Sequence, residues 1–151
     1  MTRILFVCLG NICRSPTAEG VMRALVREQG IEDVEVESAG MGDWHVGHPP
    51  DRRATEAAQR RGIALEGAAR QVRVSDFDDF DLLIAMDRSN QRDLLALAPD
   101  EEAAAKVHLL REWEPGATDL DVPDPYYGDG QGFEDVLDMV QASCRALLAE
   151  L

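Results

Sequence analysis

A chain of 151 residues, 45% of them hydrophobic, can bury a sizeable core, and a single domain over residues 1–151 is expected. Its formal net charge of −14 argues against nucleic acid and anionic membranes as partners, because both attract basic surfaces. No apolar stretch reaches the ~20 residues of a membrane span, and no signal-peptide pattern stands at the N-terminus, so a cytoplasmic location is expected. Cys8, Cys13 and Cys144 make no disulfide framework, and an odd count points to reactive or buried thiols.

The elements follow in chain order. Ile4-Leu5-Phe6-Val7 is a continuous apolar run that suits a strand buried on both faces. After a short loop, Ser15 is expected to cap a helix whose first residue is Pro16, where a missing N–H costs nothing. Ala18, Val21, Met22, Leu25 and Val26 keep helical spacing, and Gly30 ends the segment. Val34 to Glu37 alternates as a second strand, and residues 39–50, rich in glycine and proline, read as a loop. A helix is predicted from Asp51 to Arg61, with Gly62 closing it. A short strand is predicted near Gln71-Val72-Arg73, a buried strand from Asp81 to Met86, a helix from Ser89 to Leu97, and a last strand from Val107 to Leu110. Residues 111–132 form a long acidic loop, of the kind that often carries function. The final helix aligns Phe133, Val136, Leu137, Val140, Cys144, Leu147 and Leu148 on one stripe.

Strands alternating with helices imply an α/β fold, a mostly parallel sheet with helices on both faces. Ligands of such sheets sit beyond the C-terminal strand ends, at a switch in strand order. The first strand ends at Cys8, so architecture and local chemistry point to one place.

That chemistry lies in Cys8-Leu9-Gly10-Asn11-Ile12-Cys13-Arg14-Ser15-Pro16. A phosphate monoester needs donors around three oxygens. Successive N–H groups between Cys8 and Arg14 can supply them at a helix N-terminus. Gly10 permits close backbone approach, and Asn11 tolerates a left-handed turn. The Arg14 fork matches two phosphate oxygens. The same field favours the Cys8 thiolate, the nucleophilic form, and the Ser15 hydroxyl can donate to that sulfur. Cys8 would then attack phosphorus and form a phosphocysteine intermediate. The leaving group needs a proton donor, for which the candidate is Asp124, held between Pro123 and Pro125 and followed by Tyr126 and Tyr127. Partial burial against those rings suits a general acid.

Other residues leave alternatives open. Cys13 is either a small buried support for the loop or the partner that condenses with an oxidised Cys8. Asp87 either orients Arg14 or caps the following helix. His45, His48 and His108 lack the spacing of a metal site, and Cys144 reads as core. Arg52-Arg53 and Arg60-Arg61 read as solvated helix faces, with Arg52 and Arg53 as further attraction for an anionic substrate.

Cys8 to Pro16 near the start, paired with Asp124-Pro125-Tyr126-Tyr127-Gly128 near the end, resembles the low-molecular-weight protein tyrosine phosphatases. Ser38-Ala39-Gly40, Trp44, Pro50-Asp51, Ala69-Arg70-Gln71 and Met86 to Asn90 resemble that family as well, so the likeness covers essentially the whole chain. It implies a flavodoxin-like, three-layer fold with a central four-stranded parallel sheet, and hydrolysis without metal or cofactor. It implies Cys8 as nucleophile, Arg14 as phosphate binder, and Asp124 as general acid and later as base toward water. Leu9, Gly10, Asn11, Ile12, Cys13 and Ser15 would line the loop, Trp44 and Tyr126 would grip a flat ring, and Asn11, Ser15 and Ser38 would fix the loop by hydrogen bonds. One departure stands at Gly67, where eukaryotic members usually carry a histidine in that network. A bacterial branch that removes phosphate from arginine tends to carry threonine where this chain has Ile12, so phosphotyrosine-containing proteins and small aryl phosphates are the expected substrates, with the chain acting as a monomer. Protein arginine phosphatase is the alternative. Arsenate reduction is less favoured because the loops hold no resolving cysteines, and a pure phosphopeptide-binding module would need no acid at Asp124.

Overall fold

The computed structural model describes residues 1–128 and 130–151; Asp129, in the predicted acidic loop, lies outside the described residues. Four strands, β1 (Thr2–Cys8), β2 (Val34–Gly40), β3 (Leu82–Ala85) and β4 (Val107–Leu109), form a parallel sheet in the order β2-β1-β3-β4. The helices are α1 (Arg14–Glu28), α2 (Arg52–Gln59), α3 (Asp76–Asp79), α4 (Arg88–Leu97), α5 (Glu101–Ala104) and α6 (Gly130–Ala149), with a 3-10 turn at Leu110–Trp113. None of the described helices is long and apolar enough to cross a membrane.

The alternation of a strand divides the core in two. Ile4, Phe6 and Cys8 of β1 face one side, where they pack with Met22 of α1, Ala57 of α2 and the Phe133 to Leu148 stripe of α6. Leu5 and Val7 face the other, against Phe77, Leu94 and Ala103 of α3, α4 and α5. Both faces of β1 are therefore covered, which explains its unbroken apolar run. The expected three-layer α/β sandwich is observed.

The differences from expectation have local causes. Cys13, not Ser15, is the residue before the first turn of α1, and no side chain caps it there. Ser15 lies inside that turn with its hydroxyl turned toward β1. The predicted strand at 71–73 reduces to one parallel bridge between Gly40 and Gln71. Its neighbouring backbone donors go elsewhere: Arg70 N–H to the Asn11 side chain and Arg73 N–H to Asp76. Arg60 and Arg61 are not merely solvated. Both bond Glu134 of α6, at 3.0 and 2.9 Å, and Arg61 also reaches Asp138 and Gln141. They tie α2 to α6 over a seam whose interior is alanine on one side and Phe133 on the other.

Those bonds, Arg60 first and Arg61 with it, hold the Glu134 carboxyl below its ordinary value of 4.5. A carboxyl depressed in the folded state adds stability above its unfolded pKa and loses it as the pH falls through the folded one. The melting temperature should thus drop on acidification below about pH 4.5, and Glu134→Gln should flatten that drop. Thermal melts of both proteins across that range check this, and an unchanged slope contradicts it.

Candidate active site

The β2-β1-β3-β4 order places the switch point between the C-terminal ends of β1 and β3. β1 ends there at Cys8, and residues 9–13 cross to α1. Asn11 turns the chain with φ +57°, in the left-handed region that asparagine tolerates. Its backbone N–H then donates to the Cys8 sulfur at 3.2 Å. The loop is held from behind by Met41 and Gly42 N–H on the carbonyls of Cys8 and Leu9, at 2.9 Å each, and by Asp51 N–H on Ile12, at 2.7 Å. Gly40 lies so close beneath it that a Cβ would stand 3.0 Å from the Leu9 carbonyl oxygen and 3.1 Å from Asn11 N.

The Asn11 side chain is 3% exposed and uses both amide donors and its oxygen. Its amide donates to the hydroxyls of Ser15, at 2.8 Å, and Ser38, at 2.9 Å, while its oxygen accepts from Arg70 N–H at 3.0 Å. The Ser15 hydroxyl accepts from Asn11 and sets its one hydrogen between the Cys8 sulfur at 3.0 Å and the Ala39 carbonyl at 3.4 Å, the sulfur being the nearer acceptor. Ser38 in turn donates to Glu19 at 2.6 Å, and Glu19 pairs with Arg23. Burial raises the Glu19 carboxyl, although the Ser38 bond and Arg23 oppose the rise. The fixing network thus runs Glu19–Ser38–Asn11–Ser15–Cys8, and its outer member was not recognised in the sequence. Glu19 sits on the α1 face that also carries core residues, so periodicity gave no sign of it.

Arg14 is 3% exposed. Its guanidinium meets Asp87 at 2.5 Å, the Val122 carbonyl at 3.0 Å and Asp124 at 3.6 Å. Burial alone would lower its pKa; the Cys8 sulfur and the two carboxylates outweigh that and raise it. Asp87 fills both roles left open by the sequence, because its other oxygen accepts Asn90 N–H at 2.7 Å and caps α4. The acidic loop is laid across the sheet end by Val122 N–H on the Met86 carbonyl at 2.8 Å. This brings Asp124 beside Arg14, with Tyr126 N–H on the Asp124 carboxylate at 3.0 Å. Asp124 is more open than expected, its side chain 39% exposed, and the Tyr126 and Tyr127 rings stack on each other.

These groups open into a cleft of about 430 Å³ lined by Cys8, Leu9, Gly10, Ile12, Cys13, Arg14, Trp44, Asp124 and Tyr126, all expected, and by His45 and Tyr127, which were not. His45 packs so close to the loop that a Cβ on Gly10 would stand 3.0 Å from its ring. Only its neighbour Trp44 hinted at this wall. Asn11 and Ser15 do not line the cleft; they stand behind the sulfur. Cys13 borders the cleft, yet burial, with Asp51 and Cys8 adding, pushes its thiol up. Burial does the same for Cys144. Gly67 faces a second, polar cleft of about 190 Å³ together with Glu19, Ser38 and Asn11.

A buried sulfur with two donors, a forked cation beside it and a carboxyl at the rim can bind a tetrahedral anion, attack it and protonate what leaves. The model of the low molecular weight phosphotyrosine protein phosphatase family matches residues 3–151. The chain belongs to that family. A low molecular weight protein-tyrosine-phosphatase of Streptomyces coelicolor is 50% identical over 97% of this chain and 92% of its own length. The crystal structure of a protein tyrosine phosphatase from Entamoeba histolytica superposes with a TM-score of 0.96 at 36% identity, covering 99% of this chain and 96% of that one. A Drosophila arginine phosphatase superposes with a TM-score of 0.93 at 33% identity, covering 99% and 97%. Family members are hydrolases of phosphorylated substrates, as the cleft chemistry requires.

Among the described residues, Cys8 alone of the three thiols combines access to the cleft with sulfur-directed donors. At neutral pH, iodoacetate should add one carboxymethyl group per chain, on Cys8, and inorganic phosphate should slow it. Peptide mapping by mass spectrometry checks this, and comparable modification of Cys13 contradicts it.

Proposed function

We propose that this chain is a single phosphatase domain over residues 1–151 that acts as a monomer. It removes phosphate from phosphotyrosine in proteins and from small aryl phosphates. The observation that carries the reading is the Cys8 sulfur at the base of an aromatic-walled cleft, with Asn11 N–H and Ser15 hydroxyl on it and with Arg14 and Asp124 as neighbours.

In the first step the Cys8 thiolate attacks phosphorus while the bond to the phenolic oxygen breaks. Asp124 gives its proton to that oxygen, so tyrosine leaves neutral and a phosphocysteine remains. Arg14 and the N–H groups of the loop hold the equatorial oxygens and stabilise charge where it develops. In the second step Asp124, now a carboxylate, takes a proton from water as the water oxygen attacks phosphorus. The S–P bond breaks, and thiolate and inorganic phosphate are released. Ser15 serves the leaving sulfur in this step, since its hydrogen bond is stronger to a thiolate than to a thioester-like sulfur.

Trp44 and Tyr126, with His45 and Tyr127, would flank the phenol ring of the substrate, and apolar Ile12 on the cleft surface favours an aromatic over a guanidinium leaving group. Cys8→Ser should abolish phosphate release. Asp124→Ala should reduce turnover of aryl esters with poor leaving groups by ~100-fold or more, and far less for good ones, as loss of general-acid help requires. Initial rates on phosphotyrosine, phosphoserine and phosphoarginine peptides should rank phosphotyrosine first. Preference for phosphoarginine would overturn the substrate assignment, and equal losses on both ester types would remove Asp124 from its role.

A further inference from the structure

Arg53 was expected to be solvated, and its side chain is 43% exposed, yet its guanidinium is held through Nε and Nη2. It lies 4.8 Å over the Phe133 ring and 5.5 Å from the Tyr126 ring centre. It bonds both oxygens of Asp51, at 3.3 and 3.2 Å, and donates to the Tyr126 carbonyl at 2.9 Å. Each contact leads to part of the site. Asp51 caps α2 through Arg53 and Ala54 N–H, and its own N–H holds the Ile12 carbonyl of the phosphate-facing loop at 2.7 Å. Tyr126 N–H holds the Asp124 carboxylate. One side chain therefore spans the gap between the loop that carries the nucleophile and the turn that carries the acid.

We propose that Arg53 is a positioning residue for Asp124: a strut that fixes the acid turn and the Tyr126 wall against the nucleophile loop through Asp51. The proposal rests on the hydrolytic reading of the site. Arg53 touches neither phosphate nor leaving group; it sets where the acid stands. The turn needs such a support. Among the described residues, the backbone N–H groups between Pro123 and Gly128 make local bonds, Tyr126 N–H to Asp124 and Gly128 N–H to Pro125, and Tyr127 is 95% exposed. A displacement of about 1 Å at a proton donor can cost a large part of its effect. Lysine cannot replace the fork fully, because it lacks the planar set of donors that meets Asp51 and the Tyr126 carbonyl together.

The test compares kcat/KM for phenyl phosphate, a poor leaving group, with p-nitrophenyl phosphate, a good one. Arg53→Met keeps an apolar stem over Phe133 and removes every donor. It should lose ~10-fold on phenyl phosphate and at most ~2-fold on p-nitrophenyl phosphate, as a misplaced acid predicts. Arg53→Lys should recover part of the loss. In an Asp124→Ala background Arg53→Met should cause no further selective loss, because the two act as a unit. Thermal melts run alongside, and Arg53→Lys carries the comparison if Arg53→Met does not fold. Equal losses on both esters, a loss that persists undiminished without Asp124, or unchanged rates on both would each overturn the strut. Failure of the parent protein to hydrolyse either ester would instead overturn the hydrolytic reading itself.

Discussion

The site depends on the left-handed turn at Asn11. A five-residue crossing from β1 to α1 must aim an N–H at the Cys8 sulfur and still enter a helix at Arg14. Asn11 meets the first demand by its positive φ and the second by its side chain, which joins α1 at Ser15, β2 at Ser38 and the 70s segment at Arg70. No other residue type both tolerates that backbone and offers two donors and an acceptor on so short a stem. Serine at 15 and 38, glycine at 40 and glutamate at 19 follow from it, as groups that accept its bonds, make room for it or anchor its partners.

Charge follows a similar logic. The chain carries a formal −14, yet its site is built to take an anion. The resolution is local. Arg14 is buried with Asp87 behind it, so the cation needs no solvent and keeps part of its fork toward the cleft. Backbone N–H groups add positive potential without adding net charge. Asp87 also caps α4, so the carboxylate that steadies Arg14 is itself fixed by a helix end.

What could be read from the sequence was what depends on neighbours along the chain. The apolar run of β1, the stripe of α6 and the spacing of Cys8 and Arg14 carry their meaning in the local pattern, and the fold respects them. Ser15 was misplaced because Ser-Pro is a good helix start, and here the demand for a hydroxyl at the sulfur prevailed over the demand for a cap. Arg53, Arg60, Arg61 and Glu19 were underrated because each also has partners distant in sequence: Arg53 meets Tyr126, Glu19 meets Ser38, and Arg61 finds Glu134 and Asp138 only after α2 packs on α6. The aromatic walls belong to this second kind. Trp44 and Tyr126 came from family resemblance, whereas His45 and Tyr127 emerged only when their loops met over Cys8.

In the proposed reaction the loop presents the Cys8 sulfur as the atom that receives phosphate. Rapid acid quench of enzyme mixed with excess p-nitrophenyl phosphate, followed by mass spectrometry of the digested protein, tests it directly. A phosphoryl adduct is expected on the peptide carrying Cys8, formed as p-nitrophenol is released and absent in Cys8→Ser. Steady hydrolysis with no adduct at Cys8 from the earliest quench times, or an adduct on another residue, would contradict it.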